Sequence, residues 1–253
     1  MHSFFVFLQK ELVEQLRTKR GLILLCVFAF FGILSPVTAR YVQEIMRMAL
    51  GDMPFELPPP TWIDGWAQFF SNLTQMGALV IILLFMGSIA GEKQSGSAAL
   101  TLTKNLSHTS FVLAKFISMA LILAIPFFIA AGINYGYTHF LFGEAGDLAN
   151  ILVAAAAYCL GLMALLGVIV LSSALTKSLV PSAILAFGGF LLLTAIFPFL
   201  PVIQTVTPGA LMNEALALAA GEEADLLPAI LGALGFIALS LFGAIFALKK
   251  QEI

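Results

Sequence analysis

The sequence is short of charge. Its 253 residues include 12 Lys+Arg and 14 Asp+Glu, so only 10% are ionised at neutral pH, against about 25% in an ordinary soluble domain. Cysteine is scarce as well: Cys26 and Cys159 lie far apart in apolar surroundings, which excludes a disulfide framework and a CxxC redox or zinc pair. The chain has no GxxxxGK[ST] sequence, so it lacks the loop that cradles nucleotide phosphates and is not an ATPase by itself. His2, His108 and His139 fall in separate segments and HExxH does not occur, which leaves no ligand spacing for a metal. The QSGS sequence at 94–97 has a Gly-Ser pairing but only His108 nearby, in a basic loop; an intramembrane hydrolase needs its serine and base at membrane depth. The chain opens on a charged amphipathic stretch rather than the short apolar core and small-residue cleavage site of a signal peptide. No catalytic residue, bound cofactor, metal or nucleic-acid partner is expected.

What remains is apolar and unevenly arranged. Six windows contain no Asp, Glu, Lys or Arg: 21–39, 65–91, 116–143, 148–176, 178–213 and 226–248. They hold 162 residues, and the other 91 carry every charge at a density of about 29%, an ordinary solvated value. About 20 apolar residues cross a hydrocarbon core of roughly 30 Å as a helix, so each window can span a bilayer. A soluble domain is excluded, and so is a β-barrel, whose strands alternate apolar and polar residues. The expected fold is all-α and polytopic: an amphipathic helix over 1–20, then a single six-helix domain over 21–253 with spans at 21–39, 67–90, 116–137, 148–175, 180–198 and 226–248.

Sorting the basic residues by loop orients the chain. Ten of the 12 fall on the side that carries both termini: Lys10, Arg17, Lys19, Arg20, Lys93, Lys104, Lys115, Lys177, Lys249 and Lys250. Arg40 and Arg47 fall on the other. Basic loops stay inside, so both termini are expected in the cytoplasm and the chain in a cell's inner membrane.

Local patterns add candidate surfaces. Before the first span, Phe4, Phe5, Leu8, Leu12, Val13 and Leu16 recur at three- and four-residue spacing opposite Gln9, Lys10, Glu11, Glu14, Gln15 and Arg17. This predicts a helix lying on the membrane surface, either a plain anchor or a partner contact. Pro54, Pro58, Pro59 and Pro60 predict an extended first outer loop, and Trp62 and Trp66 are placed as interfacial aromatics. Gln68, Ser71, Asn72 and Gln75 form one stripe on the outer half of the second span, which either lines a substrate route or hydrogen-bonds a neighbouring helix. The loop 91–115 is the one sizeable loop on the basic side. Leu100, Leu102 and Leu106 give it the apolar edge of a short docking helix, and Ser107 or Thr109 can cap the next helix. In the fourth and fifth spans, Ala154, Ala157, Gly161, Gly167, Gly188 and Gly189 predict close helix packing. Pro198, Pro201 and Pro208 break the fifth window, so 199–225 is expected to be a re-entrant or interfacial outer segment. No ionisable residue lies well inside a span, which argues against ion coupling through buried charges.

Several of these elements, taken in order, resemble the six-span membrane subunit of type-2 ABC (ABC-2) transporters. They are Lys10-Glu11 and Arg17 before the first span, Glu-x-x-x-Gly-Ser at Glu92, Gly96 and Ser97, then Ser107 and Lys115, Thr207-Pro208 after the fifth span, and the basic Lys249-Lys250 tail. Where the family often has a proline followed closely by a serine-arginine pair, this chain has Asn105, Ser107 and His108. The resemblance implies an ATP-driven permease, an exporter by analogy, that forms the pathway with a second permease subunit. ATP and Mg would bind a separate ATP-binding cassette subunit. Loop 91–115 would hold the coupling helix and 1–20 the connecting helix, so Lys10, Glu11, Arg17, Glu92, Lys93, Gly96, Ser97, Leu100, Leu102, Ser107 and His108 are the partner-coupling residues. The alternatives are a stand-alone ion-coupled transporter or channel, and a non-transporting membrane immunity or scaffold protein.

Overall fold

The computed structural model describes residues 2–50, 58–98, 106–200, 204–222 and 226–251, and among these it contains helices and turns but no strand. The described residues include six helices long and apolar enough to cross a membrane. The first is α2 (Arg20–Arg40), preceded by α1 (His2–Arg17) and followed by α3 (Val42–Leu50). The second crossing, Trp62–Gln94, is composite: α4 (Trp62–Asn72), a π-turn (Leu73–Gly77), α5 (Ala78–Phe85) and α6 (Ala90–Gln94). Then come α7 (His108–Phe142), α8 (Leu148–Leu175), and α9 (Leu179–Leu191), which runs on through a second π-turn (Leu192–Ile196). A short outer helix, α10 (Pro208–Ala219), leads to α11 (Leu226–Lys250).

These helices run past several charge-free windows because their ends are capped by polar residues. The Thr61 backbone N–H and hydroxyl both donate to the Asp64 carboxylate, at 2.6 and 2.9 Å, starting α4 before the apolar run. Ser107 accepts from Ser110 N–H at 3.1 Å and starts α7, and Asp147 accepts from Asn150 N–H at 3.2 Å and starts α8.

The centre of the bundle is α8, 78% buried over its apolar window against 22–50% for the other crossings. Its small residues make this possible. A Cβ at Gly161 would sit 3.0 Å from Met212 of α10, and one at Gly167 3.4 Å from Ser240 of α11, so α8 takes one helix against each half. Beside it α2 crosses α7 so tightly that a Cβ on Gly32 would lie 2.7 Å from the Ala130 carbonyl oxygen. Lipid competes with apolar side chains as well as protein does, so such approaches are a main source of packing.

Two expectations change. The first outer loop is not extended throughout: its proline-free beginning forms α3, and Gln43 donates to Pro58 O at 3.0 Å to tie that helix to the next segment. Trp66 is not exposed as an interfacial aromatic would be but is fully buried, edge-on to Phe69 and tilted against Phe70, with its indole N–H donating to Ala145 O at 3.2 Å. An indole with a hydrogen-bond partner is a core residue like any other aromatic.

Candidate functional site

Residues that the sequence placed in three different segments meet at the end of the bundle that carries both termini. Lys115, two turns into α7, is buried, with 3% of its side chain exposed. Its ammonium donates to Glu11 Oε2 at 3.0 Å and Glu92 Oε1 at 2.7 Å. Glu11 projects from α1 with the same 3% exposure, and Glu92 from α6 with 13%. Lys10, half exposed, closes the cluster: it contacts Glu11 and Glu14 at 3.0 Å each and Glu92 at 3.6 Å. Beneath it, Phe7 of α1 stacks on Phe111 of α7 at 5.4 Å, and the Lys115 ammonium lies 5.1 and 5.9 Å from the Phe111 and Phe7 ring centres.

The inner face of α1 therefore packs on protein through Phe7, Glu11 and Gln15, while Phe5, Val6, Val13 and Leu16 remain exposed. Burial opposes the Lys10 ammonium, but Glu11, Glu14 and Glu92 outweigh it and raise its pKa above the ordinary lysine value. Burial likewise opposes the Glu14 carboxylate, and the Lys10 contact outweighs it, holding its pKa below 4.5. Carboxylate oxygens of Glu11, Glu14 and Glu92 come within 4.8 Å of one another. The chain's own ammoniums stand among them, so the cluster's demand for positive charge is met from within.

The other coupling candidates behave differently from one another. Lys93 turns away from Glu92 and donates to three oxygens around the end of α8: Ala174 O, Thr176 O at 3.2 Å and Gln251 Oε1 at 2.7 Å. Gly96 has φ +74°, a left-handed conformation that glycine adopts without cost, and Ser95 and Ser97 share a 2.9 Å hydrogen bond across it. Arg17 is exposed at the end of α1, Ser107 is exposed as the cap of α7, and His108 is half-buried at the first position of that helix. Leu100 and Leu102, and with them most of the expected docking helix, lie outside the described residues.

Between α5 and α6 the second crossing is interrupted at Met86 and Ile89, where the α-helical ladder lapses. Neighbouring hydroxyls fill the gap. Ser173 Oγ of α8 accepts from Ile89 N–H at 2.9 Å and Ala90 N–H at 2.8 Å, and donates to Met86 O at 2.9 Å. Ser182 Oγ of α9 donates to the same carbonyl at 2.6 Å. Freed backbone groups at membrane depth require such partners.

Toward the far end, the polar stripe of the second crossing divides in two. Gln68 donates to Asn72, which donates to Ser35 of α2 at 2.9 Å, an interhelical hydrogen bond. Ser71 and Gln75, bonded to each other at 3.0 Å, instead line a cavity of 330 Å³ with Thr74, Thr194 and Asn213. Three of these five come from facing π-turns, Thr74 and Gln75 from Leu73–Gly77 and Thr194 from Leu192–Ile196; such wide turns are frequent at functional sites. The cavity lining contains no ionisable side chain. The stripe pointed to Ser71 and Gln75, but Thr194 and Asn213 lie far away in sequence and no local pattern marks them.

Comparison with known proteins follows the same landmarks. The chain is 24% identical over 149 residues to a protein of Bacillus subtilis (strain 168) described as the uncharacterized transmembrane protein YxlG, and the stretch covers 57% of each chain. The chain thus spans a little over half the length of that relative. A profile of the ABC-2 family transporter proteins matches residues 6–219, from the start of α1 through α10. The charged cluster, the composite second crossing and the polar cavity all fall inside that match, and the chain belongs to the ABC-2 family of transporter proteins, multi-pass membrane components of transport that are not themselves catalytic.

Proposed function

We propose that this chain is the pathway-forming permease subunit of an ATP-driven exporter, that two such subunits pair around the route, and that a separate ATP-binding cassette subunit supplies the energy from the cytoplasmic side, where both termini lie. The observation that carries this reading is the outer half of the second crossing. Gln68 and Gln75 are exposed there, at membrane depth, beside a cavity lined by hydroxyls and amides. Polar groups facing lipid are costly, so such a face belongs against a second protein or water. The absence of an ionisable group from the cavity lining supports an energy source outside the chain.

At the opposite end, the Lys115 cluster joins α1, α6 and α7 into one body that begins and ends the loop 91–115. A cassette seated on that loop would move α1 and the start of α7 together. It can shift the permease between inward- and outward-open states only by binding the two with different affinity. Copurification in mild detergent tests the assignment: the full chain is expected to bring down a nucleotide-binding subunit and stimulate its ATPase. Glu92→Lys, which puts a third ammonium among the carboxylates, or a bulky residue at Gly96, is expected to abolish that stimulation while membrane insertion persists. Wild-type stimulation in both variants refutes the coupling assignment. Disulfide crosslinking of Gln68→Cys between two copies tests the pairing, and failure to crosslink while Leu79→Cys, exposed three turns further along the same crossing, succeeds would place the interface elsewhere.

A further inference from the structure

Tyr158 is used by none of the features above, yet it is the most completely engaged side chain near the polar cavity. It stands on α8, fully buried, with its ring stacked on Phe70 at 4.5 Å and 19° and on Phe127 at 5.8 Å and 14°. Its hydroxyl donates to Phe70 O at 2.9 Å and shares a 2.7 Å hydrogen bond with Thr74 Oγ1. Both partners belong to the second crossing, on either side of the point where its winding widens. Across that turn the Ala78 N–H reaches back five residues, to Leu73 O.

The register of this wide turn decides what faces the route. In the observed register Gln75 lies in the polar cavity, and Met76, the next residue, lies in an apolar 430 Å³ groove with Cys26, Phe30 and Leu79. Successive helical residues are about 100° apart, so a slip of the wide turn by one residue would exchange a polar neighbour for an apolar one in the cavity wall. Backbone hydrogen bonds within the helix are made in either register and do not choose between them. The two bonds from Tyr158 reach specific atoms of residues 70 and 74 and do choose.

We propose that the Tyr158 hydroxyl is a positioning group for the transport route: by holding Phe70 O and Thr74 Oγ1 it fixes the wide turn in the register that presents Gln75 to the polar cavity and Met76 to the apolar groove. The inference rests on the reading of that cavity as part of the route. It makes Tyr158 a determinant of what the route accepts, although its side chain is buried away from the cavity. Across the cavity, the Thr194 hydroxyl of the facing turn donates within its own helix instead, to Phe190 O at 2.8 Å.

The test is a labelling contrast between two adjacent positions. Gln75→Cys and Met76→Cys are made singly in the full chain, with Cys26 and Cys159 replaced by alanine, and native membranes are treated from the far side with a membrane-impermeant cationic methanethiosulfonate. With Tyr158 intact, position 75 is expected to label and position 76 to stay protected. Tyr158→Phe keeps both ring stacks and removes only the hydroxyl; it is expected to lower the ratio of labelling rates, 75 over 76, by about thirtyfold, the weight of two net hydrogen bonds between two registers. Thr74→Val removes one of the two bonds without touching Tyr158 and is expected to move the ratio in the same direction by less. An unchanged ratio in both variants overturns the proposal, and does so equally if their melting temperature falls, because the hydroxyl would then contribute to stability alone. No labelling at position 75 with Tyr158 intact overturns the route assignment itself, and this inference with it.

Discussion

Removing the ammonium at Lys115 isolates the role of the buried cluster. In Lys115→Met, Glu11 keeps only Lys10 at 3.0 Å, and Glu92 keeps only Lys10 at 3.6 Å. Two ammoniums among three carboxylates become one among three, in a place where the side chains of Glu11 and Glu92 are 3% and 13% exposed. Taking one partner from a buried ion pair costs roughly 3–5 kcal/mol, most of it the penalty of leaving the other charge buried and uncompensated. Lys10, half in water, offsets part of that, which sets the expectation at about 3 kcal/mol. The cost falls on the docking of α1, because Glu11 can regain water only if α1 lifts from α7. Amide hydrogen exchange over residues 4–17 reads this directly, and about 3 kcal/mol corresponds to exchange about a hundredfold faster. Replacing both partners, Glu11→Leu with Lys115→Met, is expected to restore most of the protection, since a buried pair exchanged for apolar groups of similar size is often neutral. Unchanged exchange in the single variant, or a double variant worse than the single, would refute the reasoning.

The same cluster sets a pH window. The pKa of Glu14 is depressed, so its contribution to α1 docking is present above pH 4.5 and is lost as pH falls below that value. The pKa of Lys10 is raised, so its contribution is present below pH 10.5 and is lost only at higher pH, as its folded-state value is passed; the losses of these two contributions should therefore quicken exchange in α1 toward both extremes of pH once intrinsic rates are divided out. Gly32→Ala pushes a Cβ against the Ala130 carbonyl oxygen and should cost about 1–3 kcal/mol, seen as a lower melting temperature in detergent, whereas Gly136→Ala on α7, with nothing within 4 Å, should be neutral or stabilising by up to about 1 kcal/mol. Ser173→Ala strips the Ile89 and Ala90 N–H groups of their partner and leaves Met86 O with Ser182, and is expected to cost about 1–3 kcal/mol. Ser182→Ala removes a single donor to Met86 O and should lower the melting temperature less; equal losses would mean that the interrupted ladder is not what Ser173 serves.

The crossings were legible because lipid is an unforgiving solvent: a run of apolar residues without charge has one stable use, and six such runs mark six helices. Lys10, Glu11, Glu92 and Lys115 were legible only as a sequence order. That they converge on one buried point depends on α1 folding back against α7, and nothing in the spacing of residues 11, 92 and 115 encodes that distance. Trp66 misled because a tryptophan near a span end has two common uses, and the choice between them depends on a carbonyl 79 residues away. Tyr158, Ser173 and Ser182 were invisible for a related reason. Tyr158 and Ser182 are single polar residues in apolar runs and Ser173 is one of a serine pair, and each takes its meaning from irregular backbone in a different helix. Those irregularities, the π-turns and the lapse between α5 and α6, leave no distinctive compositional mark: they contain Gly77, Gly87 and Ser88, but glycine and serine recur throughout the spans.

That lapse has a mechanical consequence. An unbroken helix from Trp62 to Gln94 would act as a rod, delivering any push at Glu92 straight to the residues around Gln75. Instead the rod is jointed, and the short terminal piece is clamped sideways: to α8 through the Ser173 oxygen and the Lys93 ammonium, and to α1 and α7 through Glu92. On the proposed coupling role, a force arriving at Ala90–Gln94 would be shared first among three neighbouring helices and would reach the turn beside the cavity through α8, the central member of the bundle and the one that carries Tyr158. The joint would then turn a local push into a displacement of the whole core.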